Sequence, residues 1–480
     1  MDGLVSWFES HGGSFDESAL QFVPIEGFGR GALALSDLPE GHVLFTLPRE
    51  LTLSTRTSTL PARIGQEAWR ERGLHIGWTG LILCMMWEEA RGPASKWSVY
   101  LESLPRVFNT PMFWSPEEIE ELNGTSVVDK IGKEGADIDY VEKVLPTIKS
   151  RPDLFSAESM PHFTLQNYHI MGSRILSRSF HVEQWDGADI AGLVQAEPAD
   201  MRESMEIDSR ADASSAAQEE SSILIDDNVD GSDDEEDPAD VAMVPMADVL
   251  NARYGSENAK LFYEQRDLRM CTTKPVEKGQ QIWNTYGDPP NSDLLRRYGH
   301  VDLVPLSNGR FGNPANIVEV RADLVVAAVA TLCPAQAASE DRVDWWLEEG
   351  GDDVFIFETT SKVPDELVSF ARLLLLPLAE WGQARGKGKL PKPRWDDAIA
   401  NVVKHVLRER VKCYPTTLED DEKMLAGTRH LSLNKKHALV VRIGEKDILH
   451  DTLRQLEEQP RKAKKRKAED ENGKRPPKKR

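Results

Sequence analysis

Between residues 20 and 50 the apolar positions fall in short runs separated by turn residues. Gln21-Phe22-Val23-Pro24 precedes Gly27-Phe28-Gly29-Arg30-Gly31, then Ala32 to Leu35, the turn Asp37-Leu38-Pro39-Glu40-Gly41, and His42 to Leu47. That pattern predicts short strands joined by tight turns, with a helix ahead of them within residues 1–19. From about Leu60 to Leu104 the spacing changes to three and four residues, so that Leu81, Cys84, Met85 and Glu88 share a helix face. Ser115-Pro116-Glu117-Glu118 adds a start signal, with a capping serine and a proline at the first helical position. Helical signals continue to Phe180, and strand and turn patterns return from Val241 to Tyr286. A short helix from about Ser292 to Tyr298 is closed by Gly299. Beyond about residue 315 the expected elements are helices over Val318 to Leu332, Pro364 to Glu380, Trp395 to Cys413 and Leu433 to Glu458. The pattern describes an α+β chain. Small β-sheets with a helical insertion at about 60–180 make up residues 20–300, and a mainly α-helical C-terminal domain spans 315–458.

Length and charge refine that picture. A chain of 480 residues exceeds one ordinary core, which suits two ordered domains. The formal charge of −22 is unevenly spread. Residues 195–240 are rich in Asp, Glu, Ser and Ala and end in Ser232-Asp233-Asp234-Glu235-Glu236-Asp237. A segment so poor in apolar surface cannot offset its ordering entropy, so a disordered acidic insert is expected there. Residues 459–480 are the opposite, a basic tail with clusters at Arg461 to Lys467 and Lys474 to Arg480. They read as a bipartite nuclear localisation signal, implying an import receptor as partner and the nucleus as location. The alternative is a solvated polybasic tail touching RNA or acidic partners. With charge so asymmetric, overall acidity does not exclude nucleic acid, though no direct nucleic-acid role is required. Cys84, Cys271, Cys333 and Cys413 lie far apart, so no metal site is indicated and a reducing compartment is favoured. The first residues lack a signal-peptide pattern, and the longest apolar runs are too short to span a membrane. A soluble intracellular protein is expected.

Three stretches carry candidate chemistry. Gly27-x-Gly29-x-Gly31 lacks the spacing and the following helix of a dinucleotide fingerprint. It is either a plain turn or a loop that lets backbone approach a ligand. In Val244-Pro245-Met246-Ala247-Asp248-Val249-Leu250-Asn251-Ala252, Asp248 and Asn251 are polar groups inside an apolar run. Buried polar groups need partners, so they either cap a turn or face a polar ligand. In Trp283-Asn284-Thr285-Tyr286-Gly287 a strand ends in a tyrosine at a glycine turn, and Tyr298 follows on a short helix. Two tyrosines near one turn suit a pocket with aromatic walls and phenolic donors, or plain packing.

The order of these stretches resembles the SET-domain protein-lysine methyltransferases, and within them the group of the Rubisco large-subunit methyltransferase. The run from Trp283 through Asp288-Pro289-Pro290-Asn291-Ser292-Asp293 to Tyr298-Gly299 is the most specific part, and is similar to the fungal ribosomal branch of that group and its animal counterpart. Tyr414-Pro415-Thr416-Thr417 and Ala438 to Arg442 resemble the group's substrate-binding domain. The resemblance implies S-adenosylmethionine as cofactor, with Tyr286 as the catalytic tyrosine. Glu26, Gly27 and Phe28 would then present backbone to the cofactor and Arg178 would approach its carboxylate. Asp248 and Asn251 would hold its amino and adenine parts, and Tyr298 would pack against its adenosine and methyl region. Many relatives have Asn-His where this chain has Asn251-Ala252, so a histidine contact is lost there. The substrate implied is a protein, a large-subunit ribosomal protein receiving one methyl group. The alternatives are a histone or transcription factor, or a catalytically idle scaffold that binds peptides.

Overall fold

The computed structural model describes residues 2–182, 241–306, 309–334, 340–427 and 430–472, with side chains from residue 3 to residue 458. The acidic segment 195–240, and the side chains of the basic tail, lie outside the described residues. The chain divides into two compact units. The first holds residues 1–108 and 132–289, the second 109–131 and 290–480. The division thus falls at Pro289/Pro290, ahead of the boundary near residue 300 expected from the pattern, and it assigns Tyr298 to the second unit.

The first unit opens with α1 (Asp2–Ser10) and continues with β1 (Ser14–Phe15), β2 (Leu20–Ile25), β3 (Gly29–Ala34) and β4 (Val43–Pro48). The helix expected within 1–19 therefore ends at Ser10, where His11-Gly12-Gly13 turns the chain with Gly12 at φ 88°. The helical insertion includes α2 (Thr79–Ala90), α3 (Ser98–Ser103) and α4 (Leu165–Arg178). After β5 (Ser179–His181) come β6 (Val241–Met243), β7 (Ala259–Tyr263), β8 (Asp267–Thr272) and β9 (Gln281–Ile282). All pairings are antiparallel and make three small sheets, ordered β1-β4-β8-β7, β2-β3-β9 and β5-β6. Helix α2 is buried on nearly every side, which explains why its apolar spacing is more continuous than a one-faced helix requires. Its Leu83, Cys84, Met85 and Met86 join Phe8, Phe45, Trp97, Met243 and Ile282 in one core.

The second unit is built from helices with two strand pairs among the described residues, one of them the short pairing of Val304–Pro305 with Phe311–Gly312. Residues 318–321, expected to begin a helix, instead lie in β10 (Ile317–Arg321), paired with β11 (Val354–Glu358). Ile317, Val318 and Val320 are β-branched, and alternate residues of the strand are buried, which favours a pleated surface. The helix that follows is α5 (Ala322–Leu332). The helix expected over Pro364 to Glu380 is split into α6 (Asp365–Leu375) and another helix starting at Leu378. Pro377 lacks an N–H and disfavours helical geometry at Leu376 before it. Helices α7 (Asp397–Lys412) and α8 (Leu433–Asn472) complete the unit, the last running past the expected end at Glu458. Ser115 does cap its helix, in a reciprocal box with Glu118. The expected Ser292–Tyr298 helix is a short α-turn followed by a π-turn that ends at Gly299, with φ 77°.

Candidate functional site

Three segments far apart in sequence converge in the first unit. Between β2 and β3, Glu26-Gly27-Phe28 forms the tip of a hairpin whose register places Ile25 opposite Gly29. Gly27 sits at φ 80° in that tip, a conformation closed to most side chains. The Phe28 ring meets the Trp283 ring edge-on at 5.2 Å. Asn251 Nδ2 donates to the carbonyl of Arg30 at 2.9 Å. A Cβ on Gly31 would stand 2.6 Å from that same Nδ2, so only glycine leaves room for the contact. The main-chain oxygen of Asn251 accepts from Asn284 N at 2.9 Å, and Ala252 forms an isolated parallel bridge with Asn284. Alanine at 252 therefore keeps its backbone contact.

Asn258 fixes the strand that leads to Tyr286. Its Nδ2 donates to Gln281 O at 3.1 Å, and its Oδ1 accepts from Trp283 N at 2.7 Å. Trp283 O accepts in turn from the Asn258 and Ala259 amides. The half-buried Tyr286 that follows places its hydroxyl 3.5 Å from the carbonyl of Leu250. The Asp248 segment is strained as well as buried: Met246, directly before its short 3-10 turn, has φ 74° and ψ −41°. A bulky residue at positive φ costs about 1–3 kcal/mol and persists where the surroundings over-determine it.

The electrostatics centre on Asp248 and Arg178. Asp248 is 7% exposed, and burial pushes its carboxyl up to about 6, opposed chiefly by the Arg178 guanidinium and a hydrogen bond from Tyr100. Tyr100 donates from its hydroxyl to Oδ2 at 3.1 Å. Arg178, at the last turn of α4, donates from Nη1 to the main-chain oxygen of Asp248 at 2.5 Å, while that nitrogen is 4.0 Å from Oδ2. Among the described residues, neither Arg178 Nε nor Asp248 Oδ1 has a hydrogen-bond partner, and both are buried. Unmet donors and acceptors of this kind cost about 1–3 kcal/mol each. An amino-acid zwitterion supplies what both lack: a carboxylate for the guanidinium and an ammonium for the carboxyl. The residues present thus fit the amino-acid end of S-adenosylmethionine.

Of the residues singled out from sequence, Glu26, Gly27, Phe28, Arg178, Asp248, Asn251 and Tyr286 all lie in this first unit. Tyr298 belongs to the second, where its ring centroid is 5.5 Å from the Arg297 guanidinium and 6.0 Å from the His300 ring. Tyr100 and Asn258 were missed. Tyr100 sits in an apolar helical run where a tyrosine reads as core, and Asn258 sits in a loop where asparagine reads as a turn. Among the described residues no group of three or more His, Cys, Asp or Glu is placed to hold a metal ion.

The chain resembles known proteins over most of its length. Residues 334–449 match the family model described as Rubisco LSMT substrate-binding. Human N-lysine methyltransferase SETD6 is 27% identical over 453 residues, covering 88% of this chain and 84% of that protein. Ribosomal lysine N-methyltransferase 4 of Saccharomyces cerevisiae is 30% identical over 285 residues, covering 57% of this chain and 49% of that protein. Both relatives are named as lysine methyltransferases, and the matched family model is that of the Rubisco LSMT substrate-binding domain. Solved structures agree on the fold. The SET domain of LSMT bound to lysine and AdoHcy superposes with a TM-score of 0.65 at 18% identity, over 96% of this chain and 91% of that one. Rubisco LSMT bound to AdoMet gives 0.62 at 18% identity, over 95% and 91%. The α+β architecture expected from the sequence, small sheets with a helical insertion followed by a substrate-binding domain, is the one observed.

Proposed function

We propose that the protein is an S-adenosylmethionine-dependent protein-lysine N-methyltransferase, and that Tyr286 orients the accepting lysine. One observation carries the reading: the split Arg178–Asp248 pair, matched to an amino-acid zwitterion, lies in the same unit as Tyr286, on the segment that follows β9 and is clamped at Trp283 by Asn258. When bound, the cofactor supplies a sulfonium methyl group. The chain's task is then to hold the two reactants in line and to keep the amine neutral. Alignment of this kind is worth several kcal/mol of the barrier. A lysine of ordinary pKa about 10.4 is charged at neutral pH, and removal from water favours its neutral form. Arg178 holds the carboxylate end, Asp248 the ammonium, and Glu26, Gly27 and Phe28 offer backbone groups at an open hairpin tip. Asn251 and Asn284 tie the hairpin, the Asp248 segment and the Tyr286 strand together. The Tyr286 hydroxyl, steered by the Leu250 carbonyl, presents its oxygen to the incoming amine.

For the substrate, the reading is a large-subunit ribosomal protein that receives one methyl group. The 30% identity with the yeast protein named ribosomal lysine N-methyltransferase 4 supports it. The two basic clusters of residues 461–480 support import into the nucleus through an import receptor. Transfer of radiolabelled methyl from S-adenosylmethionine to separated large-subunit ribosomal proteins, with histones alongside, tests the assignment. Label on a ribosomal protein is the expected result, and label on histones alone would redirect it. Tyr286→Phe should lower turnover by on the order of a hundredfold and leave the affinity for S-adenosylhomocysteine nearly unchanged. Normal turnover in that variant would remove Tyr286 from its role.

A further inference from the structure

Tyr100 is held more firmly than a core tyrosine needs to be. Its side chain is 1% exposed on α3, and its ring stacks on Trp7 of α1 at 6.1 Å with an interplanar angle of 11°. Trp7 is fixed in turn by its indole N–H, which donates to Lys96 O at 2.8 Å. Burial and the neighbouring Asp248 push the Tyr100 phenol well above its ordinary range, so it stays a neutral donor at any working pH. The hydroxyl is aimed at Asp248 Oδ2. With that oxygen occupied, the carboxyl group cannot rotate freely, and Oδ1 is the atom without a partner among the described residues.

We propose that Tyr100 is a positioning residue for Asp248, and that through this contact recognition of a ligand ammonium is linked to release of a proton from Asp248. The proposal rests on the methyltransferase reading for the nature of the ligand. The charged and titratable groups facing Asp248 are Tyr100 from α3, Arg178 from α4 and Arg30 from β3; Arg174, also from α4, acts on Tyr100. Desolvation favours the protonated carboxyl, while Arg178, Tyr100 and Arg30 favour the carboxylate. An arriving ammonium adds to the second side. Below about pH 6 the ligand-free site therefore holds a proton that binding expels, and above it the site is already charged. Affinity for a ligand carrying the amino group rises with pH across that window. Removing the Tyr100 hydroxyl takes away one group that favours the carboxylate, so the window moves to higher pH.

The test compares two ligands by titration calorimetry, S-adenosylhomocysteine and 5′-methylthioadenosine, which lacks the amino-acid end. Titrations run from about pH 5 to about pH 7.5 in buffers of different ionisation enthalpy, which count the protons released. For the wild type, S-adenosylhomocysteine should tighten by roughly tenfold over that range, with proton release at the acid end, while methylthioadenosine stays flat. In Tyr100→Phe the midpoint should move upward and S-adenosylhomocysteine should weaken at neutral pH by roughly fivefold, with methylthioadenosine unaffected. Asp248→Asn should abolish the pH dependence. A Tyr100→Phe protein that weakens both ligands alike, or leaves the midpoint in place, assigns Tyr100 to packing and overturns the proposal. Wild-type protein that binds neither ligand would sink the methyltransferase reading and this inference with it, an outcome distinct from a failure of Tyr100 alone.

Discussion

The two units contain the same three chemical groups in nearly the same arrangement. In the first, Tyr100, Asp248 and Arg178 form a phenol–carboxyl–guanidinium set with distances of 3.1 Å and 4.0 Å. In the second, Tyr414 donates to Glu445 Oε2 at 2.5 Å, and Arg410 stands 3.4 Å from the same oxygen. Each guanidinium also donates to a main-chain carbonyl, of Asp248 in one case and Glu319 in the other. Each carboxyl keeps one oxygen without a partner among the described residues, and burial pushes both up, Asp248 to about 6 and Glu445 to about 7. The arginines differ. Arg410 is 8% exposed, whereas Arg178 is 30% exposed and stands in the same unit as an open glycine hairpin. A buried, half-satisfied carboxyl is thus not in itself a ligand site. It becomes a candidate when its cation can reach a newcomer and the backbone beside it is open and strained.

The largest expected effect separates the two sets by their arginines. Arg410→Ala leaves a buried carboxyl without its cation and should destabilise the protein by about 3–5 kcal/mol, with S-adenosylhomocysteine affinity unchanged in the protein that remains folded. Arg178→Ala also strips a buried carboxyl of its cation, and should differ by weakening that ligand by roughly tenfold or more in the protein that remains folded. If both variants lose stability and neither loses ligand, the comparison fails. Next comes the pH dependence of stability. Burial pushes the folded-state carboxyl of Glu445 up to about 7 from its ordinary 4.5, so the folded protein holds more protons between those values. Stability from this group is therefore highest below about pH 4.5 and is lost as pH rises to about 7. Glu445→Gln should flatten that slope and gain about 1–3 kcal/mol at neutral pH, read from urea unfolding at several pH values. A slope that survives the substitution would assign it to other groups. The smallest effect is that of Tyr414→Phe, about 1 kcal/mol of stability with no change in ligand affinity; a ligand effect there would show that the second set is not sealed.

The candidate site left only partial local marks in the sequence, because a glycine turn, an Asp or Asn within an apolar run and a strand-end tyrosine all have ordinary uses as turn, cap or packing. Gly27, Asp248, Asn251 and Tyr286 were each open to such a reading, and the family order was what joined them. Tyr100 left no such mark, since its partner lies 148 positions on and nothing in Ser98–Ser103 distinguishes a donor from a packing ring. The Asn258 clamp was hidden for the same reason: asparagine in a loop has many ordinary uses. For the fold, the α+β reading and most helices followed from periodicity. The strand Ile317–Arg321 did not, because its apolar run merges into that of the next helix. The break at Pro377 could have been read from the proline alone.

The hydrogen bond from Asn251 to Arg30 spans 221 positions, and β3 pairs with β9 across a still longer stretch. At a synthesis rate of about 5–20 residues per second, the hairpin at Gly27 waits roughly ten to forty-five seconds for its partner to be made. During that time β3 has β2 on one side and an open edge on the other, the kind of edge that recruits wrong strands. Assembly of the site is therefore a late event in the making of this protein, and its ordering is tied to the arrival of Asn251 and Ile282 rather than to the hairpin itself.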